Sequence, residues 1–261
     1  PIWIENSLFY NNTTKSNIDN SDTHQSSGGA IYIDGPSTRS GNEWVGTDVI
    51  LINNTVVNNS ALSENSNART IGGGIVLNSW ERGEKWYVFN NIFWGNKVSQ
   101  YDYDKMFIQG VVYGNSENLK LYRDYNVYQG YSSEHYASGD YSLGIDPLFV
   151  NSSGGNFSLS EGSHLIGAGT AQFEGISAPT NDILGNPRPN PSGSSVDIGA
   201  YENALSISTY PAPVKNLAGS PIGSGADLSW DANTESDIAY YLVAVSNVSG
   251  FLPTDADTVG R

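Results

Sequence analysis

Short apolar segments recur along the first half of the chain, and each is bounded by Asn, Gly or Gln. They read IENSLFYNN (4–12), LINNTVVNN (51–59), VFNNIFWGN (88–96) and, more weakly, RDYNVYQG (123–130). Their alignment places Ser7, Asn54, Asn91 and Asn126 in one column, at successive offsets of 47, 37 and 35 residues. Because short apolar runs between turn-forming residues are typical of β-strands, the pattern predicts a repeat built from short strands.

A second pattern lies between these segments. GGAIYI (28–33) matches GGGIVL (72–77), and IQGVVY (108–113) follows at an offset of 36 residues, with Gly144 and Ile145 as a further weak copy. Each period therefore holds at least two short strand segments, and the drift in period predicts insertions at loops.

A unit of this size with two or three short strands cannot bury its own apolar face. Stacking successive units buries a continuous core and pairs each strand with its equivalent in the next unit, which predicts an all-β parallel solenoid with Asn stacked above Asn at the corners. A β-propeller has blades of similar length, but it would need four strands per repeat and a recurrent Trp-Asp or Gly-His signal. The sequence contains neither signal.

The motifs GGAIYI, GGGIVL and NNTVVNNSA resemble those of bacterial right-handed parallel β-helix surface proteins. A downstream series resembles the segment that ends such helices in large secreted bacterial proteins: GIDPLFV (144–150), FSLSEGSHLIGAGT (157–170), DILGNPRP (182–189) and VDIGAYE (196–202). The resemblance covers about residues 1–203. It implies a right-handed parallel β-helix over residues 1–205 and an extracellular or cell-surface location.

From this resemblance we expect DILGNPRP and VDIGAYE to cover the last coil and to protect its open strand edge. We expect Asp146, Asp182 and Asp197 to cap turns within the closing segment.

The tail has a different pattern. Apolar alternation at Ala226, Leu228 and Trp230, followed by Tyr240 to Val245, predicts two strands separated by a polar turn. This pattern is similar to the start of a fibronectin type III sandwich, which needs about seven strands and about 100 residues. Residues 206–261 are therefore interpreted as a linker and the first part of such a domain, and the chain as a piece of a longer protein.

Charge narrows the classes of partner. The formal net charge is −15 and the pI is near 4.3. This acidity argues against nucleic-acid binding and against adsorption to an anionic membrane surface. The longest apolar stretch, 238–245, is too short to span a bilayer. There is no Cys, so a disulfide scaffold, a thiolate metal site and a Cys nucleophile are excluded.

No catalytic constellation is visible. The paired carboxylates or proton-abstracting base of polysaccharide-active β-helices have no counterpart motif, and His24, His135 and His164 are isolated in segments that predict loops or turns. No cofactor is required. The pairs Asp19 with Asp22 and Asp102 with Asp104 are weak candidates for Ca²⁺, which prefers six to eight oxygen ligands.

Aromatic residues in and beside the inserted loops are the candidate carbohydrate-binding residues, since a sugar ring stacks its apolar face on exposed aromatic rings. These residues are Trp44, Trp80, Trp86, Tyr101 and Tyr103. Trp80 and Trp86 bracket a charged loop and are the strongest candidates for exposure. The alternative is that these rings cover loops or fill the core. Trp94 aligns with Tyr10 and Val57 in the repeat, which predicts a structural role.

The predicted function is a structural or adhesive module of a large secreted or cell-surface bacterial protein that contacts carbohydrate or neighbouring surface proteins. One alternative is a polysaccharide lyase or hydrolase whose catalytic coils lie outside this chain. A second alternative is a subunit of an extracellular filament or larger assembly.

Overall fold

The computed structural model divides into two units, residues 1–209 and residues 210–261. The residues that it describes are 1–16, 24–34, 37–40, 43–63, 69–79, 83–98, 107–110, 120–129, 145–206, 214–222, 225–231, 241, 243–244 and 258–260.

The described secondary structure consists of strands and one short 3-10 turn, Ser152–Gly154. In the first unit the strands are β1 (Ile2–Glu5), β2 (Leu8–Tyr10), β3 (Thr13–Ser16), β4 (His24–Ser27), β5 (Ile31–Asp34), β6 (Ser37–Ser40), β7 (Glu43–Gly46), β8 (Val49–Ile52), β9 (Thr55–Val57), β10 (Ser60–Ser63), β11 (Arg69–Ile71), β12 (Ile75–Ser79), β13 (Lys85–Phe89), β14 (Ile92–Trp94), β15 (Lys97–Val98), β16 (Phe107–Gly110), β17 (Lys120–Asp124), β18 (Val127–Tyr128), β19 (Phe149–Asn151), β20 (Asn156–Leu159), β21 (Gln172–Phe173) and β22 (Ile176–Ser177). In the second unit they are β23 (Lys215–Ile222), β24 (Gly225–Asp231), β25 (Val243–Ala244) and β26 (Thr258–Gly260).

Strands of successive repeats pair in parallel and build five sheets. The first sheet has the order β1-β8-β13-β17 and the second β2-β9-β14-β18, while the remaining three are β3-β10-β15, β4-β11 and β5-β12-β16. The strands form four layers: β1–β5, β8–β12, β13–β16 and β17–β18. Among the described strands, the first two layers contribute to all five sheets, the third to all except β4-β11, and the fourth to the first two sheets. The first unit therefore contains a stack of parallel strands, an arrangement compatible with a β-helix.

The space between the sheets is filled by alternate side chains of their strands. In β8, Val49 and Leu51 point into this interior, where they join Val56 of β9 and Val88 of β13. The intervening residues of β8, Ile50 and Ile52, belong to another apolar cluster and face outward. All four residues of β8 are nevertheless buried, because its outer face is also covered.

Two ladders of Asn side chains hold the layers in register. In the first ladder, Asn54 Nδ2 donates to Asn91 Oδ1 at 3.0 Å, and Asn91 Nδ2 donates to Asn126 Oδ1 at 3.0 Å. The backbone N–H of Ser7 donates to Asn54 Oδ1, so the predicted column of four residues is confirmed. The second ladder joins its members in the same way, through Asn12, Asn59 and Asn96.

Each ladder member follows a residue in the left-handed backbone region, which explains the Asn-Asn pairs of the repeat. Asn53 and Asn90 have φ values of 51° and 56°, and each directly precedes a member of the first ladder. Asn adopts this conformation more readily than most residues. The first Asn therefore turns the chain at the corner, and the second bonds to the adjacent layers.

The Gly-Gly pairs meet a different requirement. Gly28 and Gly72 both have φ of +63°, a conformation that other residues resist. A Cβ at Gly29 would collide with the carbonyl oxygen of Gly73, and a Cβ at Gly73 with that of Lys97. The second glycine of each pair is thus required by the close approach of neighbouring layers.

The second sequence pattern is confirmed for its first two copies and wrong for the third. Ile31 pairs with Ile75, as the match of GGAIYI to GGGIVL predicted. Phe107 pairs with Val76, an offset of 31 residues instead of the predicted 36. The alignment matched the glycine of IQG to the glycines before β12, whereas the pairing joins the apolar strand residues.

Residues 145–206 form a lateral segment, which lies along the side of the stack. Its Phe157, Leu165 and Ile198 pack against outward-facing Val57 and Ile92 of the second sheet. Phe173 and Ile176 similarly cover the outward residues of the first sheet.

Polar contacts fasten the lateral segment to the corner between the first and second sheets. Asn53 Nδ2 donates to the carbonyl oxygens of Asp197 and Gly199 at 3.0 and 3.1 Å. Asn90 accepts a 2.8 Å bond from the N–H of Gly199, and Asn6 donates to the carbonyl of Asn181. The expected position over the last coil and its edge is therefore corrected: the segment runs along the flank, because the corner asparagines and the outward apolar residues are its binding surface.

The turn predictions have mixed outcomes. Asp146 Oδ1 accepts the N–H of Leu148, and Asp182 Oδ1 accepts the N–H of Leu184, so both cap turns as predicted. His164 lies in a turn as predicted, but His24 begins strand β4 and not a loop.

The second unit contains two antiparallel strand pairs, β23 with β24 and β25 with β26. The predicted alternation at Ala226, Leu228 and Trp230 lies in β24, and the predicted second strand is described at Val243–Ala244. Trp230 contacts Tyr241 edge-on, with ring centroids 5.3 Å apart. Throughout the described part of the chain, no helix is long and apolar enough to cross a membrane.

Candidate functional site

The predicted carbohydrate-binding aromatics do not form a described surface. Trp86 has an exposed fraction of 0% and lies in the interior core, between its cross-strand neighbours Val49 and Leu121. The expected exposure of Trp86 is therefore wrong. Residue 86 falls on the inward side of β13, and the charged loop before it does not alter that alternation.

The side chains of the other four candidate residues lie outside the described part of the structure. The backbone of Trp44 lies in β7, opposite Arg39 of β6, and its side chain is outside the described part of the structure. Trp80, Tyr101 and Tyr103 lie outside the described residues altogether. These assignments stay predictions.

A pocket of about 420 Å³ instead lies between the stack and the lateral segment. One side is formed by corner residues of the second, third and fourth layers, and the other by the start of the lateral segment. The residues lining it are Val57, Asn58, Trp94, Gly95, Gln129, Asp146, Leu148, Phe149, Ser152 and Phe157. The volume is within the range of about 300–1,000 Å³ that is common for small-ligand sites.

A column of side chains on the outer face of the second sheet forms the pocket wall that belongs to the stack. Tyr10, Val57 and Trp94 are cross-strand neighbours, as the repeat alignment predicted. Gln129 occupies the equivalent position in the fourth layer, since it follows Trp94 by 35 residues, the offset of the last repeat. The column thus changes from a half-buried indole ring to an amide inside the pocket.

Backbone hydrogen bonds hold this wall in place. Gln129 Oε1 accepts the N–H of Gly95 at 2.7 Å, and the N–H of Gln129 donates to the carbonyl of Phe93 at 3.1 Å. The N–H of Asn58 donates to the carbonyl of Trp94 at 3.0 Å. The side chains that face the pocket are therefore carried by a fixed corner of the stack.

The opposite wall is the β19–β20 hairpin and the loop before it. Phe149 and Phe157 meet edge-to-face with ring centroids 5.3 Å apart, and Phe157 also contacts Tyr10 at 5.3 Å. Ser152 and Asp146 are exposed at the rim. The pocket thus combines aromatic surface with hydroxyl, amide and carboxylate groups.

A second cluster of functional groups lies inside the lateral segment. Arg188 Nη1 is 2.9 Å from Glu202 Oε2, and both side chains are fully buried. The guanidinium also donates to the carbonyl oxygens of Asp197 and Gly199, at 3.0 and 3.2 Å. These are the carbonyls that Asn53 contacts, so the cluster backs the attachment to the corner.

The carboxylates of this cluster are held by backbone amides. Asp197 accepts from the N–H groups of Gly167 and Asn203, at 2.7 and 2.6 Å. Glu202 accepts from the N–H groups of Asn190 and Asp197. Asp182 accepts the N–H of Glu202 in addition to those of its own turn.

Burial shifts the ionisation of all three central groups. Burial, reinforced by repulsion from Glu202, raises the pKa of Asp197 to about 7, against the opposing amide bonds and Arg188. Burial also raises the pKa of Glu202 and lowers that of Arg188, and in both cases their mutual attraction opposes the shift. Because the ion pair is enclosed, these carboxylates serve to fix the segment and do not face a substrate.

Sequence reasoning did not find the pocket or the ion pair. Arg188 lies in DILGNPRP with Asp182, and Glu202 lies in VDIGAYE with Asp197, and nothing in either motif indicates that these charges are buried together. The pocket residues come from three repeats and from a distant segment. The replacement of an aromatic residue by Gln129 in the repeat column was the available signal.

The structure does not test the calcium candidates, because Asp19, Asp22, Asp102 and Asp104 lie outside the described residues. Within the described ranges, no group of three or more acidic or His side chains is arranged to hold a metal ion.

In comparisons with known proteins, no family model, no curated protein and no solved structure matches this chain.

Proposed function

We propose that residues 1–205 are part of a right-handed parallel β-helix in a large secreted or cell-surface bacterial protein. In this proposal the stack is a rigid structural or adhesive module that contacts carbohydrate. The observation that carries the proposal is the pair of Asn ladders, which bond each layer to the next through buried amides. Such redundant bonding suits a load-bearing element, because no single contact determines the shape.

The carbohydrate part of the proposal is supported by the pocket beside the lateral segment. It presents the Trp94 ring together with amide and hydroxyl groups, the combination that sugar recognition needs. The net charge of −15 agrees with a partner other than nucleic acid.

Residues 206–261 would be the start of a fibronectin type III-like domain. The support is the β23–β24 hairpin and the contact of Trp230 with Tyr241. In this proposal they would join the stack to further extracellular modules.

The test is to incubate the purified chain with a panel of polysaccharides and to measure both retention and product release. We expect retention by at least one polysaccharide, without new reducing ends or unsaturated sugars. Accumulating products would replace this proposal with the lyase or hydrolase alternative. Concentration-dependent growth of particles in light scattering would instead favour the filament alternative.

A further inference from the structure

The pocket between the corner of the stack and the lateral segment has the features of a site for one sugar unit. Its volume of about 420 Å³ accommodates a single ring with its bound water. Its walls belong to the stack and to the hairpin β19–β20, both fixed by backbone hydrogen bonds. The site is therefore formed before a ligand arrives, which lowers the entropic cost of binding.

One wall supplies an apolar plane. Trp94 is half-buried, so part of its indole ring is covered by the lateral segment and part faces the pocket. Its neighbour in the next layer, Gln129, is an amide held by its bond to the N–H of Gly95. A sugar ring lying on Trp94 would place its edge hydroxyls beside this amide.

The rim supplies further hydrogen-bonding groups. Asn58 is exposed at the corner of the second layer, and Ser152 is exposed in the 3-10 turn of the hairpin. Asp146 uses one oxygen to cap its turn and has a second carboxylate oxygen at the rim. Amides, a hydroxyl and a carboxylate around an aromatic ring match the alternating donors and acceptors of sugar hydroxyls.

Charge selects among sugars. Asp146 is the one ionisable side chain among the described lining residues, and none of these residues is cationic. A uronate or sulfated sugar would bring a negative charge to this carboxylate, within a chain of net charge −15. A neutral sugar meets no such repulsion.

We propose that this pocket binds one neutral sugar unit of a polysaccharide, stacked on Trp94 and hydrogen-bonded by Asn58, Gln129, Asp146 and Ser152. This inference rests on the proposed carbohydrate contact and adds its location and ligand class.

The test is affinity electrophoresis of the whole chain in native gels. The gels contain dextran, laminarin or galactomannan as neutral probes, and alginate or polygalacturonate as acidic probes. Ser152→Trp places a large ring in the pocket from an exposed turn. No described hydrogen bond involves the Ser152 side chain, so the substitution removes none. Trp94→Leu removes the stacking plane while keeping an apolar residue.

Matched controls carry similar changes outside the pocket. Ser153→Trp places the same ring one residue away, at the cost of the exposed hydrogen bond from Ser153 Oγ to Asn151 Oδ1. Trp3→Leu removes a tryptophan that is 50% exposed on β1. Circular dichroism and thermal unfolding establish that each variant is folded. Should Trp94→Leu fail to fold, Ser152→Trp decides alone.

We expect retardation of the chain by at least one neutral probe and by neither acidic probe. Ser152→Trp and Trp94→Leu should each weaken the affinity for that probe about tenfold or more, the equivalent of one lost stacking contact. Both control variants should keep the affinity of the parent chain. Two results would overturn the pocket assignment but leave the carbohydrate contact standing: retardation by acidic probes alone, or an unchanged affinity for the neutral probe in both pocket variants. No retardation by any probe would overturn both.

Discussion

The layered stack and the lateral segment pack against each other through two apolar clusters and through polar contacts at the corner, yet inside each region the main contacts differ in kind. The stack repeats one set of bonds in each layer, with uncharged amides in its two ladders. The lateral segment has little regular structure, and its centre is a buried ion pair between Arg188 and Glu202. A repeated unit can distribute its stability over many equivalent bonds, whereas an irregular segment depends on a few that occur once.

This difference predicts where each region is vulnerable. Loss of one ladder member still leaves the strand pairing above and below it. Loss of Arg188 leaves Glu202, Asp197 and Asp182 without their central cation, and all three of these residues are buried. Three experiments test this difference in stability between the two regions.

The largest effect is expected from Arg188→Met. We expect a loss of about 3–5 kcal/mol in the free energy of unfolding, because buried carboxylates lose their compensating charge. Urea unfolding measures the loss, and hydrogen exchange should show that residues 145–206 lose protection before the strands of the stack. The double variant Arg188→Met with Glu202→Leu should recover part of the loss. A cost below about 1 kcal/mol for the single variant would contradict the role given to the ion pair.

Asn91→Ala should have the next largest effect. Asn91 is fully buried, and its side chain bonds to Asn54, to Asn126 and to the carbonyls of Leu51 and Phe89. We expect a cost of about 2–4 kcal/mol, since several buried partners are left unsatisfied.

The matched control for this variant is Asn12→Ala, at the exposed end of the second ladder. It should cost about 1 kcal/mol or less, because Asn59 Oδ1, the acceptor that it leaves, still accepts the backbone N–H of residue 12 at 3.0 Å. Equal losses in the two variants would mean that burial does not decide the strength of the ladder.

The smallest expected effect is a pH dependence that arises from Asp197. Its folded pKa of about 7 lies above the unfolded value, so the folded state retains a proton that the unfolded state has released. The resulting stabilisation is fully present below about pH 4 and is lost as pH rises through about 7. Glu202, whose pKa is also raised, contributes with the same sign.

In the parent chain, the free energy of unfolding should decline between about pH 4 and pH 8. In Asp197→Asn this decline should be smaller, by on the order of 1–3 kcal/mol. Chemical unfolding at a series of pH values measures both slopes. Parallel slopes in the parent chain and the variant would show that Asp197 does not retain the proton.

The parts of the fold that repeat were predictable from the sequence. The column of Asn54, Asn91 and Asn126 was found from spacing alone, because each repeat independently satisfies the same corner geometry. The third copy of the glycine pattern was misaligned by five residues, since one Gly in IQGVVY carries little information about register. Periodicity determines register only where several copies agree.

The lateral segment and the pocket were much less predictable. Trp86 looked exposed from its charged neighbours, but the inward position of residue 86 on β13 decided its burial. The Arg188–Glu202 pair and the pocket residues are brought together by tertiary packing that has no period. Such contacts depend on where the segment docks, and no local pattern determines that.

The two Asn ladders also have a direction. In each, the side-chain N–H₂ of one layer donates toward the layer that follows it in sequence, from Asn54 to Asn91 to Asn126 and from Asn12 to Asn59 to Asn96. The amide dipoles are therefore aligned head to tail, and each bond polarises the next. Rotating one side-chain amide by half a turn would exchange its Oδ1 and Nδ2, so that it would face like groups in both neighbouring layers. Each ladder is thus a row of aligned amide dipoles along the axis of the stack, although the same N–H₂ groups also donate to backbone carbonyls of the preceding layer.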